Sequence, residues 1–137
     1  MSKKRAISRK TAQRKLDDIF SKFIRLRDAD KNGICRCISC GKPIYWKELD
    51  NGHYVNRKHM STRFNEKNCN AQCIKCNRFD EGNMLGYTKG LIKKYGEGVL
   101  DELEVLKYQT SKMSVFEMEV LIDEYNKQVK ELMETKG

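Results

Sequence analysis

Apolar residues recur at helical spacing in three stretches of this chain. Leu16, Ile19, Phe20, Phe23 and Ile24 fall three or four positions apart, with Lys15, Lys22 and Arg25 on other faces. That pattern predicts an amphipathic helix over 11–31, stopped by Asn32-Gly33. Met118, Leu121, Ile122, Tyr125, Val129, Leu132 and Met133 form a second stripe behind Ser114-x-x-Glu117, which has the form of a capping box. Its apolar face is expected to pack on the first helix, with a dimer contact as the alternative. Between them, a helix beginning near Cys76 would carry Asn77 in its first turn, and Met84, Leu85, Leu91, Ile92 and Tyr95 continue an apolar pattern up to Gly96. Residues 99–108 form a shorter helical candidate. Lys42–Trp46 and His53–Arg57 read as strands of a β-hairpin joined irregularly through Asp50-Asn51-Gly52. An α+β domain follows. It divides into a basic tail at 1–10, an N-terminal helix at 11–31, a central core at 34–96 and a C-terminal helical segment at 97–137.

With 34% charged and 39% hydrophobic residues the chain has only a modest core for its length, and its cysteines change the picture. Cys37/Cys40 and Cys73/Cys76 are two Cys-x-x-Cys pairs that bracket both histidines of the chain, His53 and His59. Two thiolate knuckles satisfy the tetrahedral demand of zinc, each pair supplying one edge. One structural Zn²⁺ per chain is therefore expected, and such sites contribute roughly 10–16 kcal/mol of apparent folding free energy in zinc-finger peptides. Cys35 and Cys69 are read as small packed side chains.

The net charge of +9 is concentrated: ten basic against two acidic residues in 1–27, thirteen against eight in 28–100, five against nine in 101–137. A basic first half with a metal centre points to a polyanion, most simply nucleic acid. Arg5, Arg9 and Lys10 of the tail, with Arg57, Lys58, Arg63 and Arg78 of the core, are the candidate phosphate contacts. No apolar run reaches the roughly 20 residues that span a bilayer, and MSKKRAISRK lacks the apolar stretch of a secretory signal. The chain reads as soluble and cytoplasmic.

Hydrolysing a phosphodiester requires an activated water and a means of stabilising charge on the phosphoryl and leaving oxygens. His53 can accept a proton near neutral pH, and Asp50 and Asn77 offer oxygen ligands for Mg²⁺ or Mn²⁺. Zinc on four cysteines has no open position, so the two metals would have separate tasks.

The order of a Cys-x-x-Cys knuckle, a GH hairpin, an Asn-rich segment and QCxxCN opening a helix resembles the HNH, or ββα-metal, nucleases. The stretches IRLRDAD, CISCG, DNGHYVNR, RFNEKNCNAQCIKCNR, EGN and LIKKYG further resemble the phage NinG/Rap recombination nucleases, over roughly residues 16–133. This resemblance implies a zinc-bound, treble-clef-like HNH core and a structure-specific endonuclease acting on branched DNA such as Holliday junctions. It implies His53 as general base, Asn77 as ion ligand and Asn68 as the residue whose amide fixes the hairpin and the histidine. Many HNH enzymes place Asp or His directly before the base, where this chain has Gly52. Asp50 is then the expected second ligand, with His59 as its competitor. The alternative function is a zinc-stabilised DNA-binding protein without catalysis.

Overall fold

A computed structural model describes residues 7–136, and the Arg5 expectation falls outside them. The long helix α1 spans Arg9–Asp28 against the expected 11–31, ending three residues sooner and starting two sooner because the Ser8 side chain accepts from the Thr11 N–H and caps it. Arg9 and Lys10 consequently sit in the first helical turn and not in a tail. Helix α5, Val115–Thr135, starts at Ser114 with both halves of the expected capping box formed. The two helices pack along each other: Met118, Tyr125 and Val129 are buried in the same core as Leu16, Phe20, Phe23 and Ile24. Tyr125 lies edge-on to Phe20 with ring centroids 5.0 Å apart. The stripe of α5 is thus directed at α1 and its surroundings, although Met133 remains half exposed. Lys136 closes this layer by donating to the Leu26 and Arg27 carbonyls, at the end of α1 where helix carbonyls lack partners.

Two small antiparallel sheets lie between the helices. Strands β1 (Ile34–Arg36) and β2 (Pro43–Tyr45) pair with each other, and the Cys37–Cys40 knuckle joins them, with Gly41 at φ 78° in the left-handed region that its turn requires. Strand β3, Leu49–His53, pairs with β4, Cys69–Cys73. The expected hairpin between 42–46 and 53–57 does not form. Asp50-Asn51-Gly52, expected as its connection, is itself strand, opposite Gln72, Ala71 and Asn70. β4 was hidden because all five of its residues are buried while two of them are polar, so no alternation marks it.

A single wide helical turn, Lys75–Phe79, follows β4 and carries Asn77. It does not run on into the next helix, because Glu81, Gly82 and Asn83 all take positive φ. Asn83 then caps α3 (Met84–Tyr95) by accepting from the Gly86 N–H, and Gly96 ends that helix as expected. A one-turn helix α2 (Met60–Arg63) and helix α4 (Gly98–Lys107) complete the fold. Tyr87 and Leu91 of α3 with Val99 and Leu103 of α4 form a second, smaller core. Among the described residues no helix is long and apolar enough to cross a membrane.

Gly86 and Gly90 let α3 lie directly on the cysteine knuckle. A Cβ at Gly90 would stand 1.9 Å from the Ile38 carbonyl oxygen, and one at Gly86 2.2 Å from that of Ser39. Helix propensity alone favours Gly90→Ala by about 1 kcal/mol; the backbone clash should reverse the sign and destabilise by roughly 1–3 kcal/mol. Urea denaturation checks this, and an unchanged or raised midpoint would refute the close packing.

Candidate metal cluster and polar groove

The knuckle between β1 and β2 and the exit of β4 bring four thiols together: Cys37, Cys40, Cys73 and Cys76 have all their sulfurs within 4.8 Å of one another. Zinc–sulfur bonds of about 2.3 Å in a tetrahedron need sulfurs about 3.8 Å apart, and Cys40 and Cys73 stand at 3.8 Å. Donors are also aimed at the sulfurs. The Cys73 N–H donates to Cys37 Sγ at 3.2 Å, the Cys76 N–H to Cys73 Sγ at 3.4 Å, and Asn83 Nδ2 to Cys76 Sγ at 3.4 Å. Burial raises the Cys37 thiol, yet hydrogen bonds from the backbone of Cys73, Cys40 and Ser39 hold it below its ordinary value. Burial and the neighbouring thiols push Cys76 up to about 12, so filling this site must release protons. The cluster is chemically suited to a metal such as zinc. Cys35 and Cys69 lie outside it, buried, with their thiols donating to the Arg25 and Arg63 carbonyls.

Beside the cluster, a groove of about 710 Å³ is lined by Asp17, Asp50, His53, Arg57, Asn77 and Arg78, among others. His53 is the last residue of β3, and its Nε2 is 2.9 Å from the Arg63 carbonyl oxygen. A carbonyl only accepts, so Nε2 carries the hydrogen and Nδ1 holds the basic lone pair. Burial, aided by the charges of Arg57 and Arg63, lowers the His53 pKa; the bond to the Arg63 carbonyl and the Asp17 carboxylate oppose this without reversing it. The ring is therefore neutral at pH 7.

Asp50 and Asn77 meet as expected, with Asn77 Nδ2 donating to Asp50 Oδ2 at 2.9 Å. Arg78 also reaches Asp50, Nε to Oδ2 at 2.9 Å and Nη2 to Oδ1 at 2.8 Å. Burial works to raise the Asp50 carboxyl, but these two partners hold it below the usual carboxylate range. Gly52 has a geometric reason to precede His53: a Cβ there would lie 2.1 Å from Gln72 Oε1. Gln72 is held in turn by donating to Ser39 Oγ and the Gly82 carbonyl. Asn68 is fully buried, donating to the Val55 and Thr62 carbonyls and accepting from the Val55 N–H, which ties the segment after His53 to α2.

Other expected residues fall elsewhere. His59 and Lys58 line a second groove with Tyr54 and Tyr108, so His59 does not converge on Asp50. Arg63 is committed to Asp17 through a two-pronged ion pair. Arg9 is exposed at the start of α1, whereas Lys10 lines a shallow groove that shares Asp17 and Arg57 with the main one. Asp17 was not anticipated. Its one signal is that it is an acidic residue in a segment of ten basic ones.

These features define a small α+β protein with a four-cysteine cluster that could hold a metal, set against a polar groove. Residues 1–135 match the family model described as Bacteriophage Lambda NinG protein, and the chain belongs to the NinG family. It is 33% identical over 116 residues to Protein ninG of Escherichia phage lambda, covering 84% of this chain and 54% of that protein. Protein ninG of Salmonella phage P22 is 32% identical over 116 residues, covering 84% and 54%. Protein ninG of Enterobacteria phage H19B is 37% identical over 83 residues, 60% of this chain and 39% of the relative. The chain thus spans about half the length of the first two relatives. No solved structure matches it.

Metal analysis should find one zinc per chain, and Cys73→Ser should abolish tight retention and the cooperative unfolding of the centre; full stability in a zinc-free protein would exclude the site. For His53, the imidazole titration followed by NMR should have a midpoint below the ordinary value of about 6.5. Because the folded value is depressed, the neutral ring's contribution to stability is present above pH 6.5 and is lost as pH falls through the folded midpoint.

Proposed function

We propose that this chain is a metal-dependent, structure-specific DNA endonuclease of the HNH type, hydrolysing phosphodiester bonds in branched DNA such as Holliday-junction intermediates. The observation that carries the reading is convergence: the free Nδ1 edge of a neutral His53 and the Asp50–Asn77 pair line one groove. The reading is supported by two antiparallel strands, β3 and β4, followed by a helical turn bearing Asn77. The four cysteines support a structural Zn²⁺ that joins this unit to the knuckle.

In this scheme His53 Nδ1 takes a proton from water while the Arg63 carbonyl keeps the ring in the required tautomer. Arg57, in the same groove and in the adjoining one that holds Lys10, binds phosphate. A Mg²⁺ or Mn²⁺ held by Asp50 and the Asn77 amide oxygen would neutralise charge developing on the phosphoryl and leaving 3′ oxygens. Both Asp50 oxygens are engaged by Arg78, so these ligands fit a cation only once that guanidinium lifts away. Arg78 is 60% exposed, and an incoming phosphate is its natural alternative partner.

The same Asp50–Arg78 pair favours the second reading, a zinc-stabilised DNA-binding protein without catalysis. A labelled four-way junction and a linear duplex, each incubated with Mg²⁺, Mn²⁺ or EDTA, separate the two. Cutting of the junction with metal is expected, falling on the order of 10²–10⁴-fold in His53→Ala. Junction binding without nicking in either metal would leave only the second reading, and undiminished cutting by His53→Ala would remove the assigned base.

A further inference from the structure

Arg63 connects three parts of the molecule around His53. Its guanidinium forks onto Asp17 of α1, with Nε donating to Oδ1 at 2.9 Å and Nη2 to Oδ2. Its Nη1 donates to the Arg57 carbonyl at 3.0 Å. Its own carbonyl accepts from His53 Nε2 at 2.9 Å. The residue that fixes the histidine's tautomer through its main chain is thus gripped through its side chain by another element.

That grip matters because α2 cannot hold Arg63 unaided. Its four residues, Met60–Arg63, form a single turn, and His59 provides no side-chain cap. A lone helical turn fixes more dihedral angles than its hydrogen bonds offset, so it depends on external anchors. Asn68 supplies one by donating to the Thr62 carbonyl, the Cys69 thiol a weak one at 3.5 Å to the Arg63 carbonyl, and Asp17 a charged, two-pronged one to the Arg63 side chain. The Asp17–Arg63 pair is sheltered, with side chains only 20% and 14% exposed, and its fork fixes direction as well as distance.

We propose that Asp17 is a positioning residue for His53: by holding Arg63 it places the Arg63 carbonyl that keeps the histidine in its Nε2–H form with Nδ1 open to the groove. The catalytic meaning rests on His53 being the general base; the positioning itself does not. Charge adds a consequence. Asp17 opposes the Arg57 and Arg63 charges that lower the His53 pKa, and Asp18, Asp50 and Arg78 line the same groove. Removing the Asp17 carboxylate leaves the two guanidinium groups less opposed, so protonation of the ring becomes harder.

The nearly isosteric Asp17→Asn, made in the zinc-loaded full chain, tests this by ¹⁵N NMR of the imidazole across pH and by single-turnover nicking of a four-way junction. The ring's titration midpoint should fall relative to wild type, and its nitrogens should report a mixture of tautomers. Nicking should fall about tenfold to a hundredfold, the scale of a misplaced catalytic group, and Asp17→Glu should recover part of both effects. An unchanged ring midpoint and tautomer in Asp17→Asn overturns the proposal whatever the nicking rate does. Should Asp17→Asn not fold, Arg63→Lys replaces it, keeping the charge but losing the fork; an unperturbed ring there overturns the proposal equally. A wild type that never nicks, with a ring that still responds to Asp17→Asn, sinks the nuclease reading while sustaining the positioning role.

Discussion

The structure depends on four sulfurs held within one small volume. Cys37 and Cys40 belong to the turn of one hairpin, Cys73 ends a strand of the other sheet and Cys76 lies in the helical turn that follows it, so the cluster joins two sheets that share no strand. It reinforces the backbone bond from the Ile38 N–H to the Ala71 carbonyl at 2.9 Å, since each sheet is a two-stranded ribbon and such ribbons are marginal on their own in water. The tie also determines what lies around the groove. Asn77 directly follows Cys76, and Asp50 lies opposite Gln72, the residue before Cys73. The ligand pair therefore meets next to the sulfur cluster, while His53 stands at the far end of the same ladder, opposite Cys69.

Around the cluster, three polar side chains are buried and hydrogen-bonded. Asn68, Asn70 and Gln72 are all essentially buried. Asn70 donates to the Lys67 carbonyl and the Tyr87 hydroxyl and accepts from Arg27 and Lys94. Tyr87 donates to the Gly52 carbonyl at 2.6 Å, joining the smaller core to the strand that ends in His53. A buried polar group left unpaired costs roughly 1–3 kcal/mol, so a network of this kind penalises any other register of β3 on β4. Apolar burial is left mostly to the packing of α1 on α5 and on the sheets, with Asp17 of α1 forming part of the groove wall.

This division explains how much was legible in the sequence. Helices α1 and α5 are read from apolar stripes and a capping box because burial on one face is what they do. Cys37, Cys40, Cys73 and Cys76 were legible because ligand spacing is local. The pairing of β3 with β4 was not, since Cys69-Asn70-Ala71-Gln72-Cys73 is buried through hydrogen bonding and carries no periodic hydrophobicity. The break at Glu81–Asn83 was also hidden: two of its three positive-φ residues are not glycine. Within the groove, Asp50 is legible as the acidic residue nearest the motif position that Gly52 occupies, and the structure places it against Asn77 from a strand. The roles of Asp17 and Arg63 were not legible, because they couple residues 46 positions apart through a side chain and, onward, through a backbone carbonyl.

Gly52 and Gln72 carry a consequence for how this family can vary. The space that a side chain at 52 would need is filled by the amide of residue 72, which in turn spans from Ser39 of the knuckle to Gly82 of the loop. The two positions are sterically coupled. A lineage that enlarges residue 52 must shrink residue 72 and find another bridge between knuckle and loop, so a long glutamine at 72 and a bare backbone at 52 should be gained and lost together.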